Sequence, residues 1–227
     1  MNGSLSAMAL EIVATALAPS RCSACDAPVA LLAAFCRTCA ATVERSAWAT
    51  SGAAFVYGGA IARAITRMKY EKRPDLGRPL GHLLARSLEP DALVFGRSGR
   101  QPRASPSQDA VVVPVPLHPA RLATRGFNQA SLVADHVAKR LGARFWPLAL
   151  GRARDTPHQV ALDRSARLEN MTGAFFVRNP AVVRGRRILL VDDVRTTGAT
   201  LEACAHVLRG AGAAHVATAA VACAERP

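Results

Sequence analysis

The sequence contains few lysines, few aromatic residues and no long apolar run. Lysine occurs only at Lys69, Lys72 and Lys139, and aromatic residues make up 5% of the 227 positions. The apolar segment 5–17 is too short to span a bilayer, carries Glu11 and follows no basic segment, which also argues against a secretory signal peptide. We therefore expect a short amphipathic helix in this segment, no membrane span, and a location in the cytoplasm.

The net charge of +13 comes almost entirely from arginine. Such an excess favours ligands that carry phosphate groups, or nucleic acid. An arginine-rich and alanine-rich composition is also typical of a GC-rich genome, so the charge does not decide the function. Half of the residues are hydrophobic, and at this length we expect one globular core with a small appendage.

Four of the six cysteines form two CxxC pairs that are separated by ten residues. These are Cys22, Cys25, Cys36 and Cys39. Four thiolates complete a tetrahedral Zn²⁺ site and leave no open position, so we predict a structural zinc ribbon rather than a catalytic metal. Disulfide bonds are the alternative, although they are rare in cytosolic proteins. Cys204 and Cys223 fall within apolar patterns and are predicted to be inert core residues.

The segment 187–200 is the most informative part of the sequence. It begins with an unbroken apolar run, 188–191, which is too short for a helix and predicts a strand buried on both faces. Asp192 and Asp193 stand where this strand is expected to end. A turn of small and hydroxyl-bearing residues follows, before a helical pattern at 201–208.

This order of residues has a specific chemical meaning. Ligands of open α/β sheets bind beyond the carboxyl ends of the strands, and a Gly/Thr turn that opens a helix offers N–H groups and hydroxyls to a phosphate. Carboxylates beside a phosphate need sugar hydroxyls or a cation such as Mg²⁺ as partners. The segment therefore predicts a site for a 5-phosphoribosyl group. A structural pair of aspartates that caps a helix in another α/β protein is the alternative.

The remaining patterns predict alternating strands and helices, as in a parallel α/β sheet. Strands are expected at 53–57, 110–115 and 145–150, and helices at 60–68, from Pro74 onwards, and up to residue 141. Residues 96–109 are rich in Gly, Pro, Ser and Arg and predict a loop or linker. The arginine-rich segment 152–175 predicts a lid over a phosphorylated ligand.

A basic loop stiffened by prolines is predicted after the strand at 110–115. Arg121 and Arg125 lie where this loop meets the next helix, and a rigid basic loop opposite a phosphate loop suits a pyrophosphate. An ordinary proline-rich connection with solvated arginines is the alternative. Lys69 belongs to a second basic cluster, 69–73, for which a phosphate-facing tip and a solvated surface are both open.

Taken in order, five motifs resemble the ComF family of phosphoribosyltransferase-domain proteins, which are also described as amidophosphoribosyltransferase-like competence proteins. The motifs are the double CxxC, MKY at 68–70, PVPLHPARLATRGFNQA at 114–130, the RDTPHQ segment that starts at 154, and VDDVRTTGAT at 191–200. The resemblance implies an α/β fold at 49–227, with a type I phosphoribosyltransferase-like parallel sheet flanked by helices. It also implies that residues 1–48 form an N-terminal helix and a small zinc ribbon.

By this resemblance, the segment that begins at Asp192 is identified as the motif that binds phosphoribosyl pyrophosphate (PRPP). The implied PRPP-binding residues are Asp192, Asp193, Arg195, Thr196, Thr197, Gly198, Ala199 and Thr200. The two acids would hold the ribose 2′- and 3′-hydroxyls, and the loop 196–200 would surround the 5′-phosphate. Arg195 departs from the family pattern, in which a smaller or aromatic side chain is expected. Thr196 stands where purine-salvage relatives carry an acid, which disfavours purine salvage.

The resemblance leaves the function open between two classes. As an enzyme, the protein would bind PRPP with Mg²⁺ and transfer the phosphoribosyl group to an acceptor that the sequence does not identify. Arg121, Arg125 and Lys69 would hold the pyrophosphate as it leaves C1. The sequence shows no convincing general base, so no catalytic residue is assigned, and PRPP binding without turnover is a further outcome.

The second class is a non-enzymatic accessory protein of DNA uptake in natural transformation. Such a protein would handle single-stranded DNA beside a DNA-uptake helicase, and the zinc ribbon and arginine excess suit that role. Aromatic residues for base stacking are few, at Phe35, Trp48 and Phe127. A housekeeping phosphoribosyl-binding protein is a third reading, and the sequence does not determine the oligomeric state.

Overall fold

The computed structural model describes residues 20–31, 33–47, 52–88, 110–154 and 173–224. The amphipathic helix expected at 5–17 and the loop expected at 96–109 lie outside the described residues, as does most of the predicted lid, at 155–172. Among the helices that are described, none is long and apolar enough to cross a membrane.

Seven strands form two sheets in the described residues. They are β1 (Ala53–Val56), β2 (Ala110–Pro114), β3 (Arg144–Phe145), β4 (Leu150–Arg152), β5 (Phe175–Val177), β6 (Arg187–Arg195) and β7 (His215–Cys223). Five of them pair in parallel in the order β1-β7-β6-β2-β3, and β4 pairs with β5 in a separate antiparallel sheet. The predicted parallel sheet is therefore confirmed.

Helices lie between the strands, as a parallel sheet requires for its crossover connections. They are α1 (Arg37–Ala40), α2 (Gly59–Tyr70), α3 (Gly77–Ser87), α4 (Pro119–Arg125), α5 (Gln129–Leu141), α6 (Pro180–Val183) and α7 (Ala199–Gly210), with one 3₁₀ turn at Pro74–Leu76. The segment 119–125, predicted as part of a loop, is helical because Pro119 at its first position already has a helical φ and Gly126 ends the turn in the left-handed conformation.

The central strand β6 is buried on both faces, as its apolar run predicts. Leu189 and Val191 belong to the core shared with α2, α3 and α5, whereas Ile188 and Leu190 belong to the core shared with α7. Alternate side chains of a strand point to opposite faces, so these four residues fill both layers of the core. The acids at the carboxyl end of β6 are thereby held by a rigid strand.

The structure corrects two of the sequence predictions. The strand expected at 145–150 is absent; the shorter strands β3 and β4 are found instead, in different sheets. Pro147 has no N–H for pairing and Leu148 is 70% exposed, so the apolar run turns out of the core here. The second correction concerns β6, which does not end before the acids. It continues to Arg195 because β7 continues beside it, with Arg195 opposite Cys223.

The chain that follows the cysteine pairs is attached to the main sheet. Arg45 forms an antiparallel bridge with Phe55 of β1, and the Thr42 hydroxyl accepts a hydrogen bond of 2.9 Å from the N–H of Ala60 at the start of α2. Gly59 has a φ of +49°, and a Cβ at this position would collide with the Thr42 carbonyl. Only glycine therefore fits where this segment meets α2. The domain division at 48/49 stays a prediction.

Candidate functional site

Asp192 and Asp193 occupy the carboxyl-terminal half of β6. One oxygen of Asp192 accepts a 2.8 Å hydrogen bond from the N–H of Asp193, and one oxygen of Asp193 accepts a 2.9 Å bond from the N–H of Val194. The backbone therefore fixes both side chains. Asp193 is buried and Asp192 is half-buried, so a ligand would meet two carboxylates that are already oriented.

Lys69, in the last turn of α2, supplies the charge that balances this pair. Its Nζ lies 2.6 Å from Oδ2 of Asp193, and both side chains are largely buried. That oxygen has the ion pair but no hydrogen bond of normal geometry among the described residues. It therefore retains the capacity to accept a hydrogen bond from a ligand hydroxyl.

The two carboxyl groups respond in opposite directions to burial and to each other. Burial and the charge of Asp193 raise the pKa of Asp192 well above its usual range. Burial also acts to raise the pKa of Asp193, but the Lys69 ammonium outweighs it, and the pKa is lowered. For Lys69, burial favours the neutral form, yet the two acids outweigh it and raise the pKa. The site thus holds a neutral acid beside an ion pair.

The loop after β6 leads directly into α7. Gly198 has a φ of +82°, and a Cβ there would lie only 2.9 Å from Nε of Arg195, so glycine is required by both backbone and space. Arg195 therefore packs against the turn that it precedes. Thr196 is exposed, Thr197 and Thr200 are half-buried, and the Thr197 hydroxyl accepts a long 3.5 Å contact from the N–H of Ala199.

The basic loop between β2 and α5 adjoins the acids through the backbone. The N–H of Val115 donates to the Val191 carbonyl at 2.9 Å, and the Asn128 side chain donates to the Val115 carbonyl at 2.9 Å. Asn128 also caps α5, because its side chain accepts a hydrogen bond from the N–H of Ala130. This network places the start of α5 beside the residue that precedes Asp192.

Arg125 is the arginine of this loop that the contacts bring towards Lys69. Its guanidinium lies 5.7 Å from the centroid of the Tyr70 ring, the neighbour of Lys69, and donates to Oε1 of Gln129 at 3.2 Å. Arg121 lies one turn earlier in α4 and is half-buried. The sequence predicted Lys69, Arg121 and Arg125, but it gave no sign that Tyr70 and Gln129 would join them.

The four cysteines of the CxxC pairs are brought together. Their sulfur atoms all lie within 4.8 Å of one another, and the Sγ atoms of Cys25 and Cys36 are 3.8 Å apart. Tetrahedral Zn–S bonds of about 2.3 Å require S···S distances of about 3.8 Å, so these residues fit a zinc ion. Burial raises the pKa of Cys22, but backbone N–H donors outweigh it and lower the pKa to about 6, which favours the thiolate that zinc binds.

A buried arginine joins the cysteine cluster to α2. Arg67 is 9% exposed, forms ion pairs with Asp26 and with Glu71, and donates to the Ser23 carbonyl at 3.2 Å. Asp26 lies between the two CxxC pairs and also pairs with Arg73. The helix that carries Lys69 is therefore anchored to the cysteine cluster two residues earlier.

Comparison with known proteins identifies the same domain. The family described as the phosphoribosyl transferase domain matches residues 128–227. A DNA utilization protein YhgH of Escherichia coli O6:H1 is 31% identical over 70% of this chain and 66% of its own length. The protein of that name from Salmonella typhimurium is 30% identical over 87% of this chain and 81% of its own length. Competence protein F of Haemophilus influenzae is 35% identical, over 44% of each chain.

Among solved structures, the glutamine PRPP amidotransferase of B. subtilis is similar, with 20% identity and a TM-score of 0.42. The similar region covers 69% of this chain and 30% of the amidotransferase. This chain spans about two thirds of the length of the first YhgH relative. The sequence relatives, the phosphoribosyl transferase domain and the cysteine cluster agree with the resemblance that the motifs indicated. The chain belongs to the ComF family of phosphoribosyltransferase-like proteins.

Proposed function

We propose that this protein binds PRPP, or a related ligand with a 5-phosphoribosyl group, where β6 leads into α7. The observation that carries this proposal is the placement of a fixed, charge-balanced pair of acids immediately before a Thr/Gly turn that opens a helix. Carboxylates accept hydrogen bonds from the two ribose hydroxyls, and the turn offers N–H groups and hydroxyls to the phosphate. These needs are combined in a 5-phosphoribosyl group.

Each group of residues has a distinct role in this proposal. Asp192 and Asp193 bind the ribose, the turn 196–200 binds the 5′-phosphate, and Lys69 and Arg125 face the pyrophosphate. Breaking the bond between C1 and pyrophosphate leaves negative charge on the departing oxygen. Two cations on separate elements are suited to stabilise that charge. The acceptor of the phosphoribosyl group is not assigned.

The described residues fit the two metals differently. Zinc suits the four thiolates, where it would hold the ribbon together and take no part in the reaction. The acid pair does not fit a directly bound Mg²⁺, because Lys69 already neutralises Asp193 and the raised pKa of Asp192 favours its neutral form. We therefore assign no step to Mg²⁺, and a magnesium ion that accompanies PRPP stays a prediction.

Calorimetry with PRPP and with ribose 5-phosphate tests this proposal. Asp193→Asn should weaken both ligands by roughly ten- to a hundred-fold, since it removes a charge-assisted hydrogen bond worth about 1.5–3 kcal/mol. Asp135→Asn is the matched control, because Asp135 forms an exposed ion pair with Lys139 on α5. Absence of binding of either ligand to the unmodified protein would reject the proposal.

A second candidate function is the handling of single-stranded DNA during DNA uptake. It is favoured by the names of the relatives, a DNA utilization protein and a competence protein, and by the net charge of +13. Phe35 and Phe127 pack against the core, and Trp48 lies outside the described residues. The aromatic side chain on the basic face is Tyr70, which is 71% exposed.

Replacing Arg121 and Arg125 by methionine distinguishes the two functions. As pyrophosphate ligands, their loss should weaken PRPP binding and leave ribose 5-phosphate binding nearly unchanged. As DNA contacts, their loss should weaken binding of all single-stranded sequences alike and reduce the salt dependence by roughly 0.7 log units per contact. Competition between PRPP and DNA would indicate that both use this cleft. An unchanged PRPP affinity with weaker DNA binding would favour the second function.

A further inference from the structure

Two buried side-chain atoms in the described part of the chain have no hydrogen-bond partner. They are Oδ2 of Asp193 and Nε2 of Gln129, and Gln129 is only 3% exposed. A buried donor without a partner is rare in folded proteins and destabilises them, because the group has left water without replacing its hydrogen bonds. Asp193 already belongs to the proposed site, so the question is what Gln129 serves.

Gln129 lies beside that site by two separate routes of contact. Its Oε1 accepts from Arg125, whose guanidinium faces the ring of Tyr70, and the next residue along α2 is Lys69, the ion-pair partner of Asp193. The second route runs through the preceding residue, Asn128, which is bonded to the end of β2 beside β6. The unpartnered donor therefore lies near both Arg125 and the acid pair.

The orientation of the Gln129 amide follows from its partner. A guanidinium can only donate hydrogen bonds, so the amide oxygen must face Arg125 and the NH₂ group must face elsewhere. Rotating the amide by half a turn would place its N–H groups against the N–H groups of Arg125. The free position is thus a donor, and it needs an acceptor.

We propose that Gln129 is a ligand-binding residue whose Nε2 donates to an oxygen of the diphosphate of PRPP. The assignment rests on the proposed function and adds to it the residue that distinguishes PRPP from ribose 5-phosphate. A phosphate oxygen accepts hydrogen bonds and carries negative charge, which matches a buried N–H beside Arg125 and Lys69. A metal cation would find no ligand atom at Nε2 and would be repelled by both cations.

The test compares two substitutions that keep the size of the side chain. Gln129→Met removes the donor and should weaken PRPP binding by roughly ten- to a hundred-fold, which is the loss expected for a hydrogen bond to a charged group. Gln129→Glu keeps an oxygen for Arg125 but places negative charge where the N–H was, so PRPP binding should be lost. Ribose 5-phosphate should bind both variants within about three-fold of the unmodified protein, because it lacks the diphosphate.

Thermal unfolding is the second measurement, because a purely structural role predicts the opposite result. Removing an unpartnered donor should leave the melting temperature of Gln129→Met equal to or above that of the unmodified protein. Equal PRPP affinity in Gln129→Met would overturn the assignment, as would an equal loss for PRPP and ribose 5-phosphate. If the unmodified protein binds inorganic pyrophosphate through Gln129 but not ribose 5-phosphate, the proposed function fails while the Gln129 site stands.

Discussion

The Nζ atom of Lys69 lies 2.6 Å from Oδ2 of Asp193, which joins the last turn of α2 to the ligand-facing end of β6. Both side chains are largely buried, so each depends on the other for neutralisation. Removing one partner of a buried ion pair leaves an uncompensated charge, which is strongly destabilising. The pair therefore supports the fold as well as the site.

We expect Lys69→Met and Asp193→Asn each to lower the unfolding free energy by about 3 kcal/mol, or roughly 6–12 °C in melting temperature. The double variant should lose much less than the sum, because it leaves no unpaired charge. Denaturant unfolding of all four proteins measures this coupling. Lys139→Met with Asp135→Asn, an exposed pair on α5, is the control and should couple by no more than about 0.5 kcal/mol. Additive losses at Lys69 and Asp193 would show that the pair contributes nothing.

Asp192→Asn should have the opposite effect on stability at neutral pH. Because the folded-state pKa of Asp192 is raised, its contribution to stability is fully present below its unfolded value of about 3.9 and is lost as the pH rises through the raised pKa. The asparagine variant avoids that loss. It should melt at a higher temperature than the unmodified protein at pH 8, and the difference should shrink towards pH 4.

Ligand affinity separates this stabilisation from function. Asp192→Asn should still bind ribose 5-phosphate more weakly than the unmodified protein, since the carboxylate is a proposed ribose ligand. Melting curves between pH 4 and pH 8, with and without ribose 5-phosphate, measure both effects. A difference in melting temperature that does not change with pH would contradict the raised pKa.

The cysteine cluster should hold one zinc ion per chain. Protein purified without added zinc should contain about one equivalent, the stoichiometry of a four-thiolate site, and Cys36→Ser should lower it. Cys204→Ala is the control, because Cys204 is buried in the core against α7 and lies outside the cluster. Metal analysis combined with thiol counting gives the result. Full zinc content in Cys36→Ser would refute the assignment.

The contact between α3 and α5 leaves no room for a methyl group at Gly77. A Cβ at this residue would lie 2.5 Å from the Cβ of Leu132, so Gly77→Ala should destabilise the protein by about 1–3 kcal/mol through overpacking. Gly210, at the end of α7, has no atom within 4 Å of such a Cβ. Gly210→Ala should therefore stabilise the protein by about 0.4–1 kcal/mol. Denaturant unfolding of both variants would decide, and equal effects would contradict this packing.

The sequence predicted what local patterns can carry. The apolar run of β6, the acids that follow it and the two CxxC pairs are each contiguous, so their residue types determine their structure directly. The strand expected at 145–150 failed because Pro147 and the exposed Leu148 interrupt a run that looks continuous by hydrophobicity alone. Here the chemistry of one residue outweighed the pattern.

Partners between distant segments were beyond prediction. Lys69 was expected beside a phosphate, but its contact with Asp193 depends on how α2 packs on the sheet. The same holds for Arg67 and Asp26, because tertiary packing brings them together. Gln129 carries no local signal of function; only its burial without a partner for Nε2 marks it.

The strand order sets a sequence of events during synthesis. In the described sheet, β1 pairs in parallel only with β7, although β7 leaves the ribosome long after it. At roughly 5–20 residues per second, β1 must wait about ten seconds or more for that partner. During this time the residues around Arg45, which pair with the other side of β1, are already available. The ribbon segment can therefore shield a nascent strand from aggregation before the sheet exists.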